Sequence, residues 1–191
     1  MHMGMSLDGR AMRVRFVPTG DRLRHLVEVL DGDRICTLIE SIEGDSEERW
    51  PASPPLQDGD IASRDDWTRM VLLVGMAGSS HWSMSVELTP AGDQLTFDVA
   101  CRHAEQPAQL LNSYRVGDYV NARTGAEGLV LVVGEQSFAL TAEAIDGQSA
   151  RIACQESRLT VHPPRDETAA AATVQWRYRL TRHVPEDETS A

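Results

Sequence analysis

The stretch His81-Trp82-Ser83-Met84-Ser85-Val86-Glu87-Leu88-Thr89-Pro90-Ala91-Gly92-Asp93-Gln94-Leu95-Thr96-Phe97-Asp98-Val99-Ala100-Cys101-Arg102 decides the fold class. Trp82, Met84, Val86 and Leu88 alternate with His81, Ser83, Ser85 and Glu87. Leu95, Phe97, Val99 and Cys101 alternate in the same way with Gln94, Thr96, Asp98, Ala100 and Arg102. A period of two is the signature of a strand with one buried face. Between the runs, Pro90 presets φ and Gly92 tolerates positive φ, so a tight turn joins them. A turn of even length sets Leu88 against Leu95, Val86 against Phe97, Met84 against Val99 and Trp82 against Cys101. A five-residue loop would put the two apolar rows on opposite faces. The even turn therefore predicts a hairpin whose second face carries His81 beside Arg102, Ser85 beside Asp98 and Glu87 beside Thr96.

Hairpins of the same kind recur on either side. Residues 12–17, 23–30 and 35–42 read as strands joined at Gly20 and at Asp31-Gly32-Asp33, with Glu28 and Glu40 facing solvent. Residues 67–76 form a nearly continuous apolar run, which reads as a strand buried on both sides. Residues 105–111 hint at a short helical turn, against which Pro107 argues. Residues 129–133 pair with 137–145. A three-residue loop, Asp146 to Gln148, then sets Leu140 against Cys154, Ala142 against Ile152 and Glu143 against Arg151. Residues 159–161 and 174–180 are the last strands, bridged by 166–172.

The domain reading is a loose leader over 1–11, a single all-β domain over 12–184 and a frayed acidic tail over 185–191. Within the domain, 43–66 reads as a long irregular loop. About nine to ten strands with little helix make an antiparallel sandwich or an up-and-down barrel, built from sequential hairpins. No repeat of fixed period points to a propeller or solenoid.

At 191 residues the chain suits one domain with a real core. Its net charge of -11 argues against a nucleic-acid backbone or an anionic membrane as partner. No apolar run approaches the roughly 20 residues of a membrane span. The N-terminus lacks the basic head and apolar run of a signal peptide, so the cytoplasm is the expected compartment. All 18 Lys and Arg positions are arginine, as GC-rich bacterial codon usage would give. Cys36, Cys101 and Cys154 are odd in number and form no C-x-x-C spacing, so buried reduced thiols are expected.

Three chemistries fit the polar face of the hairpin. A Ser-His-Asp arrangement would draw on His81, Ser83, Ser85 and Asp98. Side chains two apart on a strand are about 6.6 Å apart at Cα, and no nucleophile elbow is present, so no catalytic residue is assigned. A metal site from His81, His103 and Glu105 has nothing to fix its convergence, and neither metal nor cofactor is expected. The third is a ligand pocket formed by Trp50, His81, Ser83, Ser85, Glu87, Asp98 and Arg102. Arginines such as Arg102, Arg177 or Arg179 would receive a carboxylate or sugar hydroxyls there. Trp67 is a further stacking surface, while Trp82 and Trp176 belong to the core. The expected function is a non-catalytic small-molecule or carbohydrate binding module, with the 43–66 loop near the mouth of its site. One alternative is a hydrolase or isomerase using Glu87 and Asp98 as paired carboxylates. Another is a structural homodimer formed through an exposed edge strand.

Overall fold

The computed structural model describes residues 4–63, 69–125, 128–164 and 171–183. Trp67, the start of the leader, most of the 166–172 bridge and the acidic tail lie outside the described residues. The chain forms two antiparallel sheets and no helix among those residues. None is therefore long and apolar enough to cross a membrane. The seven-stranded sheet runs in the order β1 (Met5–Asp8), β2 (Met12–Thr19), β3 (Arg22–Asp31), β4 (Arg34–Ser41), β9 (Asn112–Val116), β15 (Arg158–His162) and β14 (Arg151–Gln155). The nine-stranded sheet runs β10 (Asn121–Thr124), β11 (Gly128–Val133), β12 (Gln136–Ile145), β16 (Ala172–His183), β8 (Gln94–His103), β7 (Ser80–Leu88), β6 (Arg69–Ala77) and β5 (Leu56–Ser63). Its ninth strand, β13 (Gln148–Ser149), pairs only with β12. This is a sandwich. The chain changes sheet after β4, β8, β9, β13 and β15, so strands close in sequence often lie in different layers.

The β7–β8 hairpin has the register its alternation predicts, from His81 opposite Arg102 to Leu88 opposite Leu95. Its apolar row, Trp82 through Cys101, lies in the core between the sheets. Phe97 stacks on Tyr178 of β16 with ring centroids 4.9 Å apart, and Trp82 meets Trp176 edge-on. Both aromatic pairs lie within the core, where rings of this size bury large apolar areas. Residues 129–133 and 137–145 also pair as expected.

Several expectations fail for identifiable reasons. The segment read as a loose leader carries β1, paired with β2, and its Leu7 is buried. Gly9 and Arg10 then rest on the β7–β8 turn, where a Cβ on Gly92 would lie 2.4 Å from the Arg10 nitrogen. The span read as irregular over 43–66 contains β5, and β9 occupies residues next to the suspected helical turn. Strand β6 is not buried on both sides. Val71, Leu73 and Ala77 face the core, but Leu72, Val74 and Met76 are 47%, 53% and 47% exposed, because no third layer covers that face. Glu28 does not face solvent freely; it is buried between Arg13 and Arg15.

The pairing expected around Asp146 also differs. Asp146 (φ 50°) and Gly147 (φ 80°) form a two-residue turn, with Ile145 opposite Gln148. Over residues 137–141 both edges of β12 are taken, by β11 and β16, and only β13 joins it beyond, at Ala144 and Ile145; β14 pairs with β15 in the other sheet.

The connection from β4 to β5 is pinned rather than free. Ser53 Oγ donates to the Ser113 carbonyl at 3.0 Å and accepts from its N–H at 3.1 Å. The Pro55 carbonyl lies so close to Gly75 that a Cβ there would approach it to 1.7 Å.

Candidate functional site

The outer face of the nine-stranded sheet follows from its registers. Leu72 lies opposite Ser85, Ser85 opposite Asp98, Asp98 opposite Arg177 and Arg177 opposite Glu143. One row along, Val74, Ser83, Ala100 and Gln175 are aligned in the same way. Small residues on β7 and β8 thus lie between an apolar ridge on β6 and a polar ridge on β16. The result is an open depression of about 310 Å³, lined by Leu72, Val74, Ser83, Ser85, Asp98, Ala100 and Gln175.

Three of the expected site residues, Ser83, Ser85 and Asp98, meet in this depression. His81, Glu87 and Arg102 lie on the same face beyond its ends. Trp50 does not join them. It packs edge-on against His103, a buried residue pointing to the other side of β8, and its carbonyl accepts from Gln109. Sequence reasoning missed Leu72, Val74, Ala100 and Gln175. The alternation of β16 did put Gln175 on the face of Arg177, but nothing local revealed that β16 pairs with β8.

Asp98 is held on two sides. Its Oδ1 accepts from Gln175 Nε2 at 2.7 Å, and its Oδ2 accepts from Arg177 Nε at 3.0 Å and from Arg177 Nη2. The hydrogen bond to Asp98, outweighing burial, raises the Arg177 pKa further above its ordinary value. Arg179 pairs with Glu143 at 3.0 Å. The Ser83 and Ser85 hydroxyls, by contrast, have no partner among the described residues and remain available to a ligand.

These positions bear on the other two chemistries. Asp98 sits opposite Ser85, four residues from His81, or about 13 Å along the strand, beyond direct hydrogen-bond reach. His81 and His103 point to opposite faces of the sheet, so they do not converge on one ion. Among the described residues no group of three or more His, Cys, Asp or Glu side chains is arranged to hold a metal.

A second polar cluster lies inside the sandwich. His25 Nε2 is 3.0 Å from the Tyr114 hydroxyl, which hydrogen-bonds to the Tyr178 hydroxyl. The His25 N–H donates to Ser41 Oγ at 2.9 Å, and Ser41 Oγ donates to Glu43 Oε1 at 2.5 Å. Trp176 Nε1 donates to Asn112 Oδ1 at 2.8 Å nearby. Burial lowers the His25 pKa to about 3, so the ring is neutral. Burial raises Glu43 to about 7, against the opposing pull of the Ser41 hydroxyl, Arg22 and Arg24. It also pushes the Cys101 thiol up to about 12, which leaves that sulfur a poor nucleophile. The cluster bridges the two sheets, joining His25 of β3 and Tyr114 of β9 to Tyr178 of β16. No protein-family model and no curated protein sequence matches this chain.

Proposed function

We propose that the protein is a non-catalytic module that binds a small hydroxyl-bearing molecule, of monosaccharide size, on the outer face of its larger sheet. The observation that carries this reading is the depression of about 310 Å³. That volume is at the lower end of the range for small-molecule sites. Free hydroxyls of Ser83 and Ser85 would meet ligand hydroxyls, Gln175 would add an amide, and Leu72 with Val74 would take an apolar ring face. The arrangement favours binding over catalysis, since the Asp98 carboxylate is already held by Arg177 and Gln175. Three free thiols suit a reducing compartment, and we assign the protein to the cytoplasm.

The test is a titration of the isotopically labelled protein with monosaccharides and polyols, following backbone amide shifts. Saturable changes confined to residues 72–76, 83–85, 98–100 and 175 are expected, and Ala100→Leu, which fills the depression, should abolish them. If no sugar or polyol produces saturable changes there, or the variant responds like the parent, the reading fails.

A second reading is a homodimer through the β5 edge, favoured by the exposed Leu72, Val74 and Met76 on the adjoining strand. Asp58 and Asp60 on β5 oppose it, because self-pairing would bring like charges together. Light scattering across a concentration series decides between monomer and dimer.

A further inference from the structure

The largest exposed apolar pair in the seven-stranded sheet is Leu30 and Ile35, direct cross-strand partners that are 54% and 57% exposed. Neither contributes much to the core, and both lie in a hollow of about 210 Å³ at the far end of β2, β3 and β4. The corner formed by Asp8, Gly9 and Arg10 walls its open side, and Arg13 and Glu28 complete it.

The lining carries two arginines and two carboxylates, and their pairing is uneven. Glu28 accepts from Arg13 Nε at 2.6 Å, from Arg15 Nε at 2.9 Å and from Arg15 Nη2 at 2.8 Å. Burial works to raise the Glu28 pKa, but the two guanidiniums outweigh it and hold the carboxyl below its ordinary range. Arg13 uses only its Nε in that cluster, so its two terminal nitrogens have no acceptor among the described residues. Arg10 has no acceptor at all among them. Asp8, the other carboxylate at the rim, accepts from Ser6 Oγ at 2.8 Å. Both carboxylates of the lining are thus already engaged, while Arg10 and the terminal nitrogens of Arg13 keep free donors beside an uncovered apolar floor.

We propose that this hollow is a second binding site, for a small carboxylate carrying an apolar tail. The carboxylate would accept from Arg10 and from the terminal nitrogens of Arg13, both suited to planar, paired hydrogen bonds. The tail would cover Leu30 and Ile35, removing their exposed surface from water. The hollow lies on the opposite sheet from the Ser83–Ser85 depression, so the two sites stand or fall separately.

Hexanoate, hexanol and hexylamine, matched in chain length, are the probes, read by backbone amide shifts of the full chain. Hexanoate should give saturable changes at residues 8–13 and 28–35, with hexanol weaker and hexylamine weakest. Arg10→Gln should weaken hexanoate about tenfold, the loss of one charge-assisted contact. Leu30→Gln should weaken it as well, with little change in the melting temperature because the side chain is exposed. Ala100→Leu should leave hexanoate binding intact. The proposal is overturned if hexanol matches hexanoate, if no saturable change appears at these residues, or if Arg10→Gln binds like the parent.

Discussion

Strand β16 takes part in two polar clusters, one on each of its faces. Tyr178 points inward, fully buried, with its ring stacked on Phe97 and its hydroxyl bonded to Tyr114. Gln175 and Arg177 point outward and close around Asp98. The inner groups bond to one another away from solvent, so removing one leaves its partners unsatisfied in a buried space. Outer groups can exchange partners with water at little cost. Polarity alone therefore does not mark a site; access to solvent does. The sharpest way to break this contrast is to truncate one residue on each face. Tyr178→Ala should destabilise the fold by about 4 kcal/mol, through the lost ring and the cavity it leaves. Gln175→Ala should change stability by less than about 0.5 kcal/mol. Urea unfolding measures both, and similar values would show that Tyr178 is not buried as its place between the sheets requires.

A smaller effect separates two members of the inner cluster by pH. His25 has a folded pKa of about 3 against 6.5 when exposed, so only the unfolded chain takes up its proton on acidification. Its contribution is present above pH 6.5 and is lost as pH falls toward 3. Glu43 has a folded pKa of about 7 against 4.5, so its contribution is complete below pH 4.5 and is lost as pH rises through 7. Between pH 4.5 and 6.5 the two slopes oppose and nearly cancel. Glu43→Gln removes one of them. The variant should lose on the order of 2 kcal/mol more than the parent on going from pH 6.5 to 4.5. Parallel curves for the two proteins, from chemical unfolding at each pH, would mean that Glu43 is far less buried than the fold implies.

How much of this was legible in sequence depends on how local the cause was. The β7–β8 register was readable because alternation and turn length both act within twenty-two residues, from His81 to Arg102. The role of β16 was not, because Trp176 opposite Val99 is a pairing between distant segments that no local pattern specifies. Glu28 misled for a related reason. A lone carboxylate in an apolar strand reads as solvent-facing, and only the pairing of β2 with β3 brings two arginines against it. The run 70–74 misled in the opposite direction, since hydrophobicity on both faces of β6 suggests two covering layers where the sandwich supplies one. Trp50 was expected in the pocket, yet its loop is an ordered crossing between sheets that sets it against His103. Of the outer site, Ser83, Ser85 and Asp98 could be named in advance because they share one hairpin face. Their far wall could not.

The exposed ridge on β6 gives the smallest expected effect on stability and the finest test of the contrast. Val74 is 53% exposed and lies opposite Ser83 across the β6–β7 ladder. Threonine keeps its branched shape and strand preference, so Val74→Thr should change the unfolding free energy by no more than about 0.5 kcal/mol. If the ridge forms one wall of a site, the same change should weaken sugar binding measurably, because a hydroxyl replaces a methyl against the ligand's apolar face. A drop in stability well beyond that limit would mean that Val74 is covered in solution, most simply by a second copy of the chain. Unfolding at two protein concentrations then separates the cases: a midpoint that rises with concentration belongs to a dimer, and a constant one to a monomer whose outer face is open.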